Sequence, residues 1–156
     1  MSGTPTAGGR KVICVNKRAR RLYHIEDRIE AGLVLWGSEV KSLRVGRINI
    51  KEGYVRIKDG EAWLVGVHIP PYEQANINNH EPMRERKLLL HRREIRRLLG
   101  KSAQQGYTLV PLQLYFLRGK AKLEFGLGKG KKLHDKRDDQ KKADAKRDIE
   151  RALKSR

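Results

Sequence analysis

The sequence predicts a mainly β protein whose antiparallel strands close into a small barrel. The segments YVRIK and EAWLVGVHI alternate between apolar and polar residues, which is typical of strands with one buried face. Asp59 and Gly60 separate these segments, and Asp-Gly is a strong signal for a two-residue hairpin turn. A second pair, YTLVPLQLYFLR and KAKLEFGLG, flanks a turn at Arg118 and Gly119. This second hairpin is expected to place Lys122 on the outer surface of the sheet.

Another strand and a short helix are expected between the N-terminus and the first hairpin. Residues 21–35 (RLYHIEDRIEAGLVL) partly alternate and predict a half-buried strand with Glu30 on its outer surface. Ser38 follows as the expected N-cap of a short helix. Gly46 should end that helix, because glycine is common just past helix C-termini.

The second half of the chain adds a loop and an amphipathic helix. Residues 70–87 contain prolines and asparagines without periodicity, so we expect a long loop there. Residues 90–100 (LHRREIRRLLG) predict a helix that covers an open end or face of the sheet. Its apolar side is Ile95, Leu98 and Leu99, and its basic side is Arg92, Arg93, Arg96 and Arg97.

These elements amount to five or six strands, mostly linked by hairpins, with two or three short helices. We favour an OB-like barrel, because closure removes exposed strand edges. A β-sandwich covered by one helix is the alternative. The barrel is expected over residues 12–128, after a flexible arm of residues 1–11 and before a basic tail of residues 129–156.

The charge of the chain indicates a polyanionic partner. Lysine and arginine total 36 against 18 acidic residues, for a formal net charge of +18, and such a field attracts nucleic acid or an acidic membrane surface. No apolar run approaches the roughly 18–20 residues that span a bilayer, and no signal peptide is evident. A single cysteine, Cys14 within VICV, excludes an internal disulfide. We therefore expect a cytoplasmic protein in which Cys14 is a buried residue, not a reactive thiol.

No pattern in the sequence indicates an enzyme, a metal site or a cofactor. The five histidines show no paired ligand spacing. Glu39 and Lys41 form an E-x-K tripeptide of the kind some metal-dependent nucleases use, but both are expected to be solvated helix residues. The run GLGKGKK lacks the spacing and the hydroxyl residue of a phosphate-binding loop. Acyl transfer is not indicated either, because no GxSxG motif occurs.

Two segments have the composition of RNA ligands. The stretch NKRARRLYH combines Lys17, Arg18, Arg20 and Arg21 with Tyr23, so cations could contact phosphates while the ring stacks on an unpaired base. Tyr23 could equally belong to the core. Residues 129–156 hold 12 Lys and Arg against 6 Asp and Glu, too few apolar groups to fold alone, but strong helix formers from residue 138 onward. We expect a tail that is loose alone and helical against a polyanion; a solubility tail is the alternative.

Several longer motifs together are similar to those of a known family. GLVLWGSEVKSLR, KDGEAWL, HIPPYEQAN, RKLLLHRREI and GKGKKLHDKR resemble the SsrA-binding protein (small protein B) family of bacterial ribosome rescue, from about Val12 to the C-terminus. The resemblance implies an OB-like six-stranded antiparallel barrel with three helices and a tail that is disordered when free. It also implies a monomeric adaptor that is not an enzyme. A general single-strand RNA chaperone remains the alternative, with a nuclease at Glu39 and Lys41 as a third.

The resemblance further implies specific partners. The barrel would bind the tRNA-like domain of transfer-messenger RNA and promote its alanylation by alanyl-tRNA synthetase. It would then bring this RNA, with elongation factor Tu, to stalled ribosomes. The tail would enter the empty messenger channel near the decoding centre and its 16S rRNA, and become helical there.

Site residues follow from the resemblance and from the basic stretch near the N-terminus. In Glu30, the carboxylate would accept hydrogen bonds from base amino groups or a 2′-hydroxyl. Leu90 lies in a run of three leucines, so its contact could shift by one position. The residues expected to contact transfer-messenger RNA are Asn16, Lys17, Arg18, Arg20, Tyr23, Glu30, Leu90 and Lys122. Those expected in the decoding centre and messenger channel are Lys129, Gly130, Lys131, Lys132, His134, Asp135, Lys136, Arg137 and Ile149.

Overall fold

A computed structural model describes residues 9–46, 48–73, 79–104, 106–131 and 146–147. Seven strands and three helices are defined in these parts of the chain. In chain order they are β1 Lys11–Val15, α1 Lys17–Leu22, β2 Tyr23–Leu33, α2 Gly37–Val45, β3 Tyr54–Lys58, β4 Glu61–Val65, β5 Arg86–Leu89, α3 Arg92–Ser102, β6 Tyr107–Leu117 and β7 Lys120–Gly130.

All seven strands pair antiparallel in one ring-like sheet. Along the sheet the order is β1-β6-β3-β4-β5-β2-β7, and β7 pairs again with β6. The mainly β fold class is therefore confirmed, but the expected strand count of five or six is wrong by at least one. The two strands that were missed are β1 and β5. Neither of their sequences, KVICV and RKLL, alternates between polar and apolar residues, so neither gave a strand signal.

Both predicted hairpins are present, with their turns at the expected residues. Asp59 and Gly60 join β3 to β4 with positive φ angles of 52° and 75°. Arg118 and Gly119 join β6 to β7 with φ angles of 52° and 78°. A two-residue turn with positive φ at both positions matches the right-handed twist of the strands that it joins.

The basic segment near the N-terminus is a helix, where the start of a strand was expected. Asn16 caps α1: its side-chain oxygen accepts from the Ala19 N–H at 3.2 Å. The strand that follows, β2, begins only at Tyr23 and contains an irregularity between Ile25 and Arg28. A six-residue helix with one buried residue, Ala19, has too little apolar periodicity to be visible in the sequence.

The expected cap of α2 is also corrected. Glu39, not Ser38, stabilises the start of this helix, because its Oε1 accepts from the Trp36 backbone N–H at 2.9 Å. The Ser38 hydroxyl instead hydrogen-bonds Nδ1 of buried His80 at 2.9 Å and so ties α2 to the 79–85 segment. At the other end, Gly46 has a left-handed φ of 82° and ends the helix as predicted.

The core lies inside the ring of strands, and α3 packs against it. Leu98 is completely buried and joins the same cluster as Ile29 and Phe125, on the inner faces of β2 and β7. Ile95 is also buried, as expected. Leu99, however, is 51% exposed, so the apolar side of α3 is narrower than the sequence suggested.

Cys14 is half-buried in β1, opposite Leu114 of β6. Burial raises the pKa of its thiol to about 11, although a hydrogen bond with the Leu114 backbone opposes this shift. Because the thiolate is the reactive form, a thiol with this pKa is almost fully protonated and inert at neutral pH.

An ion pair with no solvent exposure joins α2 to β5. The Nε of Arg86 donates to the Oε2 of Glu39 at 2.7 Å, and both side chains are 0% exposed. Arg86 also donates to the carbonyl oxygens of Val67 (2.6 Å) and Pro82 (3.0 Å), while Arg84 donates to Oε1 of Glu39. Burial alone would raise the pKa of Glu39, but its hydrogen bonds from Arg84, Trp36 and Arg86 outweigh burial and hold the pKa low.

We expect Glu39→Gln to lower the free energy of unfolding at neutral pH by about 3–5 kcal/mol, because it leaves Arg86 buried without a countercharge. The control Glu52→Gln, which breaks the exposed Arg18–Glu52 pair, should cost less than about 1 kcal/mol. Denaturant titration of the three proteins measures both differences.

The stabilisation by Glu39 should also depend on pH. Its pKa in the folded protein lies below that of an unfolded glutamate, about 4.3. Its contribution is therefore complete above the unfolded pKa and is lost as the pH falls through the folded pKa. The difference in the free energy of unfolding between wild type and Glu39→Gln should become smaller in acid. An equal gap at all pH values would contradict this account.

Candidate nucleic-acid interface

Asn16 positions the basic helix instead of facing solvent. It is only 4% exposed. Besides capping α1, its side-chain amide donates to the Pro111 carbonyl at 2.8 Å, and its backbone N–H donates to the Leu112 carbonyl at 2.7 Å. Asn16 therefore fastens α1 to β6, and its expected role at an RNA surface becomes that of a support.

The cations of α1 are exposed, as an RNA-contacting role requires. Lys17, Arg18, Arg20 and Arg21 all lie on its solvent side. Arg18 is paired with Glu52 at 2.9 Å. Arg20 lines a small cavity of about 80 Å³ together with Arg28 and Glu124, so the basic helix is continuous with the outer face of β2 and β7.

On its other side, α1 borders a larger cavity of about 360 Å³. Tyr23 and Tyr54 both line it, and Arg18 and Lys51 add positive charge to the lining. Tyr23 is half-buried and also packs against the small cluster of Ala19, Val110 and Leu112. The ring of Tyr23 therefore packs in a cluster and also borders a cavity, and its stacking on a base stays a prediction.

Polar side chains of three strands, together with Arg10 just before β1, meet on the outer face of the sheet. Glu30 of β2 lies directly opposite Glu124 of β7, which lies opposite Gln113 of β6. Gln113 donates to Glu124 at 3.2 Å, and the guanidinium groups of Arg28 and Arg10 lie 3.6 and 3.8 Å from the same carboxylate. We call this set the outer-face network: Arg10, Arg28, Glu30, Gln113, Tyr115, Lys122 and Glu124.

Tyr115 fixes the role of Glu30 within this network. The Tyr115 hydroxyl donates to Oε2 of Glu30, and the Arg10 guanidinium stacks 3.7 Å from the centre of the tyrosine ring. Burial raises the pKa of Tyr115 strongly, and the hydrogen bond to Glu30 raises it further. The phenol is therefore a constant donor, and Glu30 is left as an exposed carboxylate with one oxygen held and the other able to accept.

A second cross-strand row brings Lys122 beside a leucine. Leu89 of β5, Gly32 of β2, Lys122 of β7 and Tyr115 of β6 are direct partners in register, so their side chains share one face. A Cβ at Gly32 would lie 3.3 Å from Cδ1 of Leu89, which shows that Leu89 lies across the glycine. Leu89 is 56% exposed.

The leucine that the outer face exposes is Leu89, one position before the Leu90 that was expected at the RNA surface. Leu90, which the sequence suggested, is only partly exposed and packs against the core. Leu89 was missed because a run of three leucines contains no signal for register. The signal exists in the structure alone, as the pairing of Leu89 with Gly32.

The expected tail begins as part of the sheet. Lys129 and Gly130 are the last residues of β7, two positions past the expected barrel boundary at residue 128. The Lys129 ammonium lies 5.7 Å from the centre of the Tyr107 ring. The backbone N–H of Lys131 donates to the Leu22 carbonyl at 2.9 Å, so the chain leaves the sheet beside the end of α1.

The remaining residues expected at the decoding centre lie outside the part of the chain that the structure describes: Lys132, His134, Asp135, Lys136, Arg137 and Ile149. The same holds for the acidic pair at 138 and 139 and for residues 1–8 of the expected arm. Their roles remain predictions from the sequence.

The sequence of the chain matches a family with known members. The family model described as "SmpB protein" matches residues 13–155. The chain belongs to this family. The SsrA-binding protein of Roseiflexus sp. (strain RS-1) is 60% identical to this SmpB family member over 147 residues, which are 94% of this chain and 93% of the relative. The SsrA-binding protein of Geobacillus thermodenitrificans (strain NG80-2) is 56% identical over 149 residues, 96% of each chain.

A solved structure agrees with this membership. A chain from the structure described as "tmRNA-SmpB: a journey to the center of the bacterial ribosome" superposes on this SmpB family member with a TM-score of 0.65. Their sequences are 50% identical, and the match covers 77% of this chain and 85% of the other. The similarity therefore extends to both sequence and three-dimensional fold.

Neither a metal-binding group nor a membrane-spanning helix occurs within the described ranges of this SmpB family member. There, no three His, Cys, Asp or Glu side chains come together in a group that could hold a metal ion. Of the helices defined there, none is both long and apolar enough to cross a membrane.

Truncation of Leu89 and of Leu90 should lower the free energy of unfolding by different amounts. Leu89→Ala removes a mostly exposed side chain and should change the free energy of unfolding by less than about 1 kcal/mol. Leu90→Ala removes a side chain that packs against the core and should cost about 2 kcal/mol. Denaturant titration compares the two variants, and a larger loss for Leu89→Ala would contradict the assigned register.

Proposed function

We propose that this protein is the RNA-binding adaptor of ribosome rescue, which binds the tRNA-like domain of transfer-messenger RNA and brings it to stalled ribosomes. The observation that carries the proposal is the outer face, where Leu89, Lys122 and Glu30 lie together on adjacent strands. Family membership supports the same assignment, because the relatives are SsrA-binding proteins.

The three side chains offer complementary chemistry to a folded RNA. The side chain of Lys122 has no ion pair or hydrogen bond among the residues described, so its ammonium can neutralise a phosphate. Glu30 accepts hydrogen bonds from a base amino group or a 2′-hydroxyl. Leu89 provides an apolar surface for a base or sugar. Because all three stand on paired strands, their spacing is set before the RNA arrives.

The proposed scaffold is an OB-like barrel closed by six strands, with β1 added beside β6. The pairings support it, since they run from β6 through β3, β4, β5, β2 and β7 and return to β6. A closed sheet is rigid and suits a protein that substitutes for one arm of a folded RNA. The exposed cations of α1 extend the positive surface beyond the outer-face network.

The tail is proposed to sense the empty messenger channel. Past β7 and Lys131, residues 132–156 carry ten cations against six carboxylates and are proposed to be stabilised where ribosomal RNA phosphates are accessible. If messenger RNA fills the channel, nothing offsets the entropy lost on ordering. The proposal includes a cytoplasmic monomer that promotes alanylation by alanyl-tRNA synthetase and meets elongation factor Tu only through the RNA.

An enzymatic role is not proposed, because the candidate carboxylate is already engaged. Glu39, expected to be solvated beside Lys41, is instead completely buried. Its two oxygens accept from Arg84, Arg86 and the Trp36 N–H. A carboxylate so held has no free position for a nuclease metal ion. The expectation that Glu39 is solvated is therefore wrong, and the nuclease hypothesis loses its metal ligand.

Lys122→Gln should weaken binding to transfer-messenger RNA and lower the slope of log affinity against log salt by about 1, because one phosphate contact is lost. Lys58→Gln, an exposed residue of the first hairpin, is the matched control and should leave both quantities unchanged. Equilibrium binding at several salt concentrations measures them. Equal affinity of the wild-type protein for an unrelated RNA of similar length would favour the general chaperone.

Truncation after Lys131 should separate the two proposed partners. Removing residues 132–156 preserves β7 and the Lys131–Leu22 hydrogen bond, so affinity for isolated transfer-messenger RNA should change less than about twofold. Peptide tagging on stalled ribosomes should be lost, because the channel-sensing segment is gone. An in vitro tagging assay provides the readout. A large loss of affinity for isolated transfer-messenger RNA would show that the tail binds this RNA and contradict its assignment to the ribosome.

A further inference from the structure

A basic helix face on the opposite side of the sheet has no role in the function just proposed. Four arginines of α3 are exposed, and we call them the α3 arginine face: Arg92, Arg93, Arg96 and Arg97. With 3.6 residues per turn they form two tiers, roughly 6 Å apart along the helix axis. The apolar side of α3 is occupied by the core through Ile95 and Leu98.

Most of this positive charge is not neutralised by the part of the molecule that the structure describes. The side chains of Arg92, Arg93 and Arg96 form no ion pair or hydrogen bond with any residue in the described ranges. Arg97 is paired with Asp27 at the long distance of 3.9 Å, and the Asp27 carboxylate also accepts a hydrogen bond from Lys101 at 2.7 Å. The acidic residue inside the helix, Glu94, accepts from the His91 N–H at 3.2 Å and caps the first turn.

Some other arginines in the described ranges are paired with carboxylates instead. Arg18 is paired with Glu52, Arg28 with Glu124 and Arg56 with Glu85. An unpaired cluster of guanidinium groups is the arrangement that binds phosphates, because each group can make two parallel hydrogen bonds to one phosphate.

The position of the face indicates which polyanion it meets. Leu98 belongs to the same core cluster as Ile29 and Phe125, on the inner side of β2 and β7, whereas Glu30 and Lys122 stand on the outer side of these strands. The α3 arginine face and the outer-face network therefore lie on different sides of the sheet, and Arg92 is the arginine nearest the outer face, because it lines a cavity with Leu89. We propose that the α3 arginine face binds the backbone of a second RNA, ribosomal RNA, while the outer face holds transfer-messenger RNA.

A membrane surface fits these observations less well than RNA does. An amphipathic helix that lies on a bilayer inserts its apolar side among the lipids, but the apolar side of α3 is buried in the core apart from Leu99. Only the charged side is accessible, and a row of phosphates in a nucleic acid matches its two tiers of guanidinium groups.

The test removes the three unpaired charges together. We expect Arg92→Gln, Arg93→Gln and Arg96→Gln in one protein to weaken binding of its complex with transfer-messenger RNA to vacant 70S ribosomes by tenfold or more. The salt slope of that step should fall by about 2 to 3, one contact per arginine. Affinity for transfer-messenger RNA alone should stay within twofold, because the outer face is untouched.

Two control proteins separate charge at this site from total charge and from folding. Replacing Lys41, Lys58 and Lys120, which are exposed elsewhere, by glutamine removes the same charge and should leave ribosome binding within twofold. Replacing the three arginines by lysine keeps the charge and should preserve most of the salt slope. Thermal unfolding of all variants should match wild type, since the altered side chains are exposed.

The outcomes are distinct, and this inference rests on the proposed function. The inference would be overturned if the triple arginine-to-glutamine protein had the same ribosome affinity and salt slope as the protein in which Lys41, Lys58 and Lys120 are replaced by glutamine. An equal loss of affinity for isolated transfer-messenger RNA would also overturn it. Loss of binding only to vesicles of phosphatidylglycerol would assign the face to a membrane instead. Failure of the proposed function itself would be seen separately, as no specific binding of transfer-messenger RNA by the unaltered protein.

Discussion

The arrangement of the sheet depends on one buried ion pair, between Glu39 and Arg86. Glu39 joins the start of α2 to β5 by accepting from both the Trp36 N–H and Arg86. Arg86 in turn binds the carbonyl oxygens of Val67 and Pro82. One charged pair thus organises three stretches of backbone whose polar groups would otherwise be buried without partners, and such a network is costly when any member is missing.

The ion pair also affects the candidate RNA surface, through the alternation of side chains along β5. Arg86 is the first residue of β5, and its inward side chain sets the alternation of that strand. Leu88 then points into the core, and Leu89 points outward across Gly32 to the row that contains Lys122. The interior charge therefore decides which leucine the surface presents. Stability and recognition share a strand in this fold, so a change of register would affect both.

The sequence predicts what depends on local chemistry. The hairpins at Asp59–Gly60 and Arg118–Gly119 and the end of α2 at Gly46 need only the residues of the turn itself. Glu39 was misassigned because its partner lies 47 positions away, and nothing near Glu39 indicates burial. The choice between Leu89 and Leu90 likewise depends on a neighbouring strand. The partner class came from charge and motifs, whereas the grouping of Glu30, Lys122 and Leu89 required the sheet.

The hydrogen bond from Lys131 to Leu22 makes the exit of the C-terminal segment a fixed pivot. Twenty-five residues follow Lys131 in the 156-residue chain. As a helix they would reach about 38 Å from that pivot, and fully extended about 85 Å. The segment therefore starts from a fixed point on the barrel. In the proposed function, this fixed origin relates the position of the barrel on transfer-messenger RNA to the place that the segment probes.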